Sequence, residues 1–165
     1  AQTQLNGLYY CRGEQLLDNH TLVLHARPNC RSRQLYKGIL CDSSRAVFNG
    51  KVRVPANAQL TDGYQLNKNL LLSEAARVYT KPELEIYADD VKCTHGATVG
   101  QLDPDELFYF QSRGIARDQA TRMLIQGFVE DVLESVTRAD LRHCLRQHLQ
   151  RMDGVKEGDE WTPPR

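Results

Sequence analysis

Along residues 1–102 the apolar positions come in short runs broken by Gly, Asn, Asp and Pro. Thr21-Leu22-Val23-Leu24, Gln34-Leu35-Tyr36, Gly38-Ile39-Leu40, Lys51-Val52-Arg53-Val54, Asn69-Leu70-Leu71-Leu72 and Leu84-Glu85-Ile86-Tyr87 are such runs. Several alternate apolar and polar with period two, which predicts half-buried strands. Anchored on Leu40, Val54, Leu72 and Tyr87, the runs recur after 14, 18 and 15 residues. No helix-length segment separates them. Two architectures fit: an antiparallel sandwich or barrel with tight hairpins, or a β-helix whose coils stack on one another. Asn49-Gly50 and Asp62-Gly63 suit turns but do not separate the two. The irregular period and the Asn-rich stretch DGYQLNKNLLL favour the β-helix, because Asn tolerates the left-handed backbone that corners need.

The pattern changes after residue 102. Asp103 followed by Pro104 and Glu106 predicts a capped helix start, with Leu107, Phe108 and Phe110 making apolar contacts and Gly114 as a left-handed stop. A second helix is predicted from Arg117 to Glu134, with Ala120, Met123, Leu124, Gly127, Phe128 and Val132 on one face. Thr137 with Asp140 resembles another capping box. The helix after it would carry Leu141, Cys144, Leu145, His148 and Leu149 as a packed stripe. Residues 153–165, DGVKEGDEWTPPR, are polar and Pro-ended and read as a disordered tail. The plan is therefore a β-rich body over 1–102, a helical domain over 103–152 that caps the stack or docks a partner, and a tail.

Composition narrows the function classes. With 165 residues, 41% apolar and 25% charged, the chain is an ordinary globular sequence able to bury a core. The formal net charge is zero, so no global basic field recruits nucleic acid. No run approaches the ~18 apolar residues of a membrane span. The chain opens without Met, signal-peptide pattern or transit peptide, directly on strand-like sequence, which suggests a fragment or a processed chain. Five cysteines, odd in number and with no CxxC, suggest a reducing compartment rather than a disulfide framework. Neither a Walker-type G-x-x-x-x-G-K nor a G-x-G-x-x-G occurs.

The reactive residues concentrate in YADDVKCTHGATVG, residues 87–100. Cys93 and His95 lie two apart, so in a strand they share a face at roughly 6.5–7 Å. A thiolate and an imidazole so placed can hold one metal, but a complete site takes about four ligands. Read from residue types alone, Cys93 is more simply a core thiol and His95 a hydrogen-bonded surface group. His25 and Cys30 form a second loose pair, and with Cys93 and His95 they would make a zinc-binding module. Cys11 and Cys41 read as coil-interior residues. Cys144 and His148 share a helix face and read as core. Asp89 and Asp90 point to opposite sides of a strand, which suits a turn better than an acid/base pair. A carbohydrate-active β-helix enzyme would need them with Lys81 or Lys92, and acids recurring at coil spacing are not present. A Cys–His nucleophile would need an orienting group and an oxyanion hole; Gly96 and Gly100 could present backbone N–H groups, but nothing in the sequence marks a substrate pocket.

Longer phrases carry a resemblance. CRSRQLYKGIL (30–40), RAVFNGKVRV (45–54), LLLSEAARVYTKPELEIYADDVKCTHGATVGQLD (70–103) and LFYFQSRGI (107–115) resemble the SufB/SufD family of iron–sulfur cluster assembly scaffolds. The likeness spans roughly residues 5–135 in the family's order and spacing. The chain resembles the SufD branch: the SufB branch reads HEAT where this chain has His95-Gly96-Ala97-Thr98, and has a cysteine at the position of Phe110. The match is to the C-terminal part of a SufD.

The resemblance implies a right-handed parallel β-helix followed by a C-terminal helical domain, in a non-enzymatic scaffold. It implies pairing with SufB through the β-helices and docking of the ABC-type ATPase SufC through the helices. It also implies a transient nascent iron–sulfur cluster at the SufB interface and no cofactor held by this chain alone. The family's cluster-site histidine maps to His95; Cys93 lies beside it without a role carried over. The docking region maps to FYFQSRGIARDQATRMLIQGF, with Phe108, Tyr109, Arg113, Gly114, Met123 and Phe128. The expected compartment is the cytoplasm, or the plastid stroma in a plant or alga. An isolated chain of this kind has an open coil edge and could pair as a homodimer.

Overall fold

The computed structural model describes residues 1–153; the expected tail lies outside them, except that Asp153 closes the last helix. Seven strands come first: β1 (Gln2–Cys11), β2 (Leu16–Leu24), β3 (Arg31–Leu40), β4 (Arg45–Val54), β5 (Thr61–Leu71), β6 (Arg77–Ile86) and β7 (Val91–Gly100). Three helices follow: α1 (Pro104–Ser112), α2 (Arg117–Glu134) and α3 (Ala139–Asp153).

The strands form two sheets in alternation, β1-β3-β5-β7 and β2-β4-β6, with every pairing parallel. This is a β-solenoid of about three turns: each coil lays one strand in each sheet. Gln2 pairs with Arg31, Arg31 with Asp62, and Asp62 with Lys92. The recurrence visible in the sequence is therefore half a coil, the step from one sheet to the other.

The turn chemistry is placed differently from the sequence expectation. Asn49-Gly50 and Asp62-Gly63 lie inside β4 and β5, not in turns. The left-handed corners are Gly13 and Asp42 on one edge, and Asn29 and Leu60 on the other. Each corner binds the coil next to it: the Gly13 N–H donates to Asp42 Oδ2 at 2.7 Å, and the Leu60 N–H to the Asp90 carbonyl at 2.7 Å. Asn67 and Asn69 of the Asn-rich stretch point into the solenoid, where both are buried. The β-helix inference holds, but Asn67 and Asn69 serve the lumen, and Asn29 is the one Asn at a left-handed corner among the described residues.

The lumen is apolar at its two edges and polar in the middle. One edge packs Tyr9, Cys11, Leu40, Ala46 and Ala76; the other packs Val52, Val54, Ala58 and Ala88, with Cys93 against them. Between them run Gln34, Gln65, Asn67 and Asn69, all buried; Gln65 donates to Gln34 and Asn67 to the Tyr36 carbonyl of the adjacent coil, while Asn69 donates to Asn67 in its own strand. Glycines make room for the large side chains of neighbouring coils. A Cβ at Gly7 would meet the Tyr36 ring at 2.5 Å, and one at Gly38 the Tyr9 ring at 2.2 Å.

The outer face of the four-stranded sheet carries α2. Ile39 and Leu70 pack with Ile125, Val129 and Leu133, each full burial contributing about 1.5–3 kcal/mol. Lys37 is buried on the same face, its ammonium 2.5 Å from Asp131 Oδ1, donating to the Phe128 carbonyl and lying 4.6 Å over the Phe128 ring. The buried side of α2 is thus Ala120, Ile125, Val129, Val132 and Leu133, while Met123 is exposed. Ala120 and Val132 are buried as expected, but the rest of the expected face is rotated, because it followed the aromatic and Met positions instead of the branched aliphatics that fit the sheet. In α1 the Asp103 carboxylate caps the Asp105 N–H at 2.8 Å and Gly114 supplies the left-handed stop, as expected. Leu107 is buried, but Phe108 is exposed. In α3 Leu141 and Cys144 are exposed as well, so the predicted stripe is only partly packed.

Candidate functional site

In β7 the positions facing the lumen are Cys93, His95, Ala97 and Val99, in register with Gly63, Gln65, Asn67 and Asn69 of the coil beneath. Parallel partners share a face, and these β5 residues, Gly63 to Asn69, are all buried. No strand covers β7 or β6 among the described residues. The lumen therefore opens at this end, and His95, an inward position by register, is exposed. β6 and β7 also present open strand edges, a row of backbone groups that another sheet can pair with. Pro82, which lacks an N–H, sits in β6, as suits an edge strand.

Cys93 and His95 share that face but not an environment. Cys93 is half-buried, with its Sγ 3.2 Å from where a Cβ on Gly63 would lie. Burial raises its pKa, opposed by the Gly63 backbone hydrogen bond. His95 presents its imidazole at the mouth. Beneath it runs a polar ladder: Gln65 Nε2 donates to Gln34 Oε1 at 2.7 Å, and Gln34 Nε2 to Thr21 Oγ1 at 2.7 Å.

The remaining candidates stay apart from this pair. His25 is buried, shares a 2.9 Å hydrogen bond with Ser32 Oγ, and has its pKa lowered, first by burial and then by the N-terminal charge. Cys30 donates to the Pro28 carbonyl at 3.5 Å outside the lumen. Asp89 and Asp90 form the exposed turn into β7, where the Asp90 N–H donates to Gln59 Oε1 at 2.9 Å. Lys81 pairs with Glu83 at 3.0 Å on the outer face of the three-stranded sheet, and Lys92 is exposed. Cys144 and His148 do not form a buried pair, since Cys144 is exposed. Among the described residues no three His, Cys, Asp or Glu side chains converge on one point. The open end thus offers at most part of a coordination shell.

Of the helical candidates, Phe108, Tyr109 and Met123 are exposed apolar side chains. Phe108 and Tyr109 are 71% and 54% exposed, and the Arg113 guanidinium lies 4.7 Å over the Tyr109 ring. Gly114 ends that helix, and Met123 is exposed on the next. Phe128 is half-buried under Lys37. No helix among the described residues is long and apolar enough to cross a membrane.

Sequence reasoning passed over Gln34, Gln65 and Lys37. An alternation argument assigns polar residues to the outside. The signal available was their recurrence: Gln34 and Gln65 occupy the same place in successive coils.

The fold is a parallel β-solenoid with a polar lumen, open at the coil bearing an exposed imidazole and followed by three helices. Residues 1–128 match the family model described as SUF system FeS cluster assembly, SufBD core domain, and the chain belongs to that family. An iron–sulfur cluster assembly SufBD family protein of Synechocystis is 45% identical over 147 residues, covering 89% of this chain and 32% of that protein. SufD of Escherichia coli is 43% identical over 152 residues, covering 92% of this chain and 36% of that protein. A chloroplastic protein of Arabidopsis thaliana is 45% identical over 149 residues, 90% of this chain and 31% of its own length. The chain spans about a third of the length of these relatives.

Proposed function

We propose that this chain is part of a SufD-like scaffold and that His95 is its ligand to a nascent iron–sulfur cluster. The cluster is the cargo of the assembly, shared with a SufB-like partner and not resident on this chain. One observation carries the reading: His95 is an inward-facing imidazole exposed at the open end of the lumen, with a coil beneath it and none above among the described residues. A partner solenoid stacking its edge on β6 and β7 would enclose that imidazole and bring the ligands this chain lacks. In the absence of SufB, a second copy can occupy the same edge as a homodimer.

The exposed Phe108, Tyr109, Arg113 and Met123 side chains support docking of a SufC-like ABC-type ATPase on the helices. ATP hydrolysis belongs to that partner, and this chain does no bond chemistry. Nucleotide-driven movement of the two docked ATPases would open or close the shared site by differential contacts in two states. The bacterial and chloroplastic relatives support a cytoplasmic setting, or the plastid stroma for a plant or alga.

The test is anaerobic reconstitution with SufB-like and SufC-like partners, wild type against His95→Ala. The reading predicts that the variant co-purifies with both partners and fails to accumulate iron–sulfur absorbance. An unchanged rate of cluster formation refutes it. The alternatives separate on metal content: stable zinc in the isolated protein favours a zinc-binding module, and activity on a polysaccharide favours a carbohydrate-active enzyme.

A further inference from the structure

We propose that Gln65 is a positioning residue for His95: its side-chain carbonyl accepts the ring N–H of His95 and turns the other, unprotonated nitrogen towards the mouth. This deepens the cluster-ligand reading and rests on it. Gln65 is fully buried and is the register partner of His95 on the same lumen face. The two backbones are one strand spacing apart, about 4.8 Å. The Gln65 amide nitrogen is committed to Gln34 in the coil below, and Gln34 is committed in turn to Thr21. The oxygen and nitrogen of an amide diverge from one carbon, so with its nitrogen turned to Gln34 the Gln65 oxygen is directed away from Gln34. That oxygen is buried and has no hydrogen-bond partner.

A buried acceptor without a partner carries a desolvation cost, so the site favours whatever donor comes within reach. The residue in that row of the next coil is His95. The position is also built for the amide. Gly50, across the lumen, has no side chain, and a Cβ there would lie 2.5 Å from Gln65 Nε2. Metal-binding histidines generally donate their second ring N–H to a carbonyl or carboxylate, which fixes the tautomer and the ring orientation. Gln65 supplies that acceptor without adding charge to the lumen.

The test reads the imidazole directly. The intact protein is labelled with 15N-histidine, and the His95 side-chain signals are assigned with His95→Gln. The proposal predicts one fixed neutral tautomer at His95 in the wild type. In Gln65→Leu, checked for native circular dichroism, the signals move to the averaged positions of free imidazole. Cluster formation with the partners falls roughly tenfold, the lower end for loss of a supporting hydrogen bond. Gln65→Glu keeps an acceptor and restores the single tautomer. Averaged tautomers in the wild type overturn the proposal with no variant needed, as do identical His95 signals in wild type and Gln65→Leu. The tautomer is read without metal. If His95→Ala assembles clusters normally while Gln65→Leu still releases the tautomer, the ligand reading fails and the positioning contact stands.

Discussion

Replacing Gly38 with Ala tests the way the coils interlock. The new Cβ would lie 2.2 and 2.4 Å from Tyr9 Cε2 and Cζ and 2.6 Å from Asn69 Oδ1, all inside van der Waals contact. Neither neighbour can swing into solvent: Tyr9 is 6% exposed and Asn69 3%. The Tyr9 hydroxyl donates to Asn69 Oδ1, so a displaced ring also breaks a buried hydrogen bond. Overpacking costs about 1–3 kcal/mol, and a stranded buried partner about 1–3 kcal/mol more. The expected loss is about 3–5 kcal/mol, since the two effects act on one side chain. Urea unfolding of the intact protein, followed by circular dichroism, measures it. Tyr9→Leu removes the ring the methyl would strike, so the double variant should be more stable than the sum of the two single losses. A Gly38→Ala protein within ~0.5 kcal/mol of wild type, the spread of ordinary surface changes, would refute the aromatic-on-glycine packing. So would strict additivity with Tyr9→Leu.

Three further perturbations address other parts of the fold. Lys37→Met keeps the stem and removes the ammonium that ties α2 to the sheet. The expected loss is about 1–2 kcal/mol, low for charged hydrogen bonds because Asp131 is half-exposed and keeps its water. Hydrogen exchange should then rise first in α2. Leu60 holds a left-handed corner at φ 59° with its side chain exposed, so Leu60→Gly should raise the unfolding midpoint by about 0.5–1 kcal/mol of stability. Asp62 accepts a bidentate pair from Arg33 at 3.0 and 2.8 Å, which with the nearby Arg31 holds its carboxyl below the ordinary range. A depressed folded pKa stabilises above the unfolded value near ~3.9, and that stability is lost as pH falls through the folded value. Asp62→Asn should therefore be less stable than wild type at pH 7, and the gap in urea midpoint should close as pH drops below 4.

The β-helix and its helical appendage were legible from the sequence because period-two runs and capped, punctuated helices are local signals. Coil length was not, since successive runs belong to different sheets and only the register of Gln2, Arg31, Asp62 and Lys92 reveals the full turn. Corner chemistry misled for a physical reason. Asn67 and Asn69 satisfy one another and the Tyr36 carbonyl in the lumen, while Leu60, a residue with no turn preference, takes one of the left-handed corners beside Gly13, Asn29 and Asp42. The α2 face was misplaced because helical periodicity alone does not say which of two apolar arcs meets a sheet. At the open end, Cys93 and His95 were legible as sharing a face. Their different fates were not, because burial of one against Gly63 and exposure of the other depend on what lies in the adjacent coil. Gln65 was invisible to any argument that reads polar as outside.

The most direct test of the central claim observes the bond between His95 and the cluster. The reconstituted complex is prepared with 15N-histidine in this protein alone, the cluster is reduced, and pulsed electron paramagnetic resonance records nitrogen couplings. The account predicts a strong 15N coupling of a directly bound imidazole in the wild type. In His95→Ala it should vanish, together with most of the cluster signal. A cluster formed in the wild-type complex without any 15N coupling would contradict it, as would a coupling that survives His95→Ala.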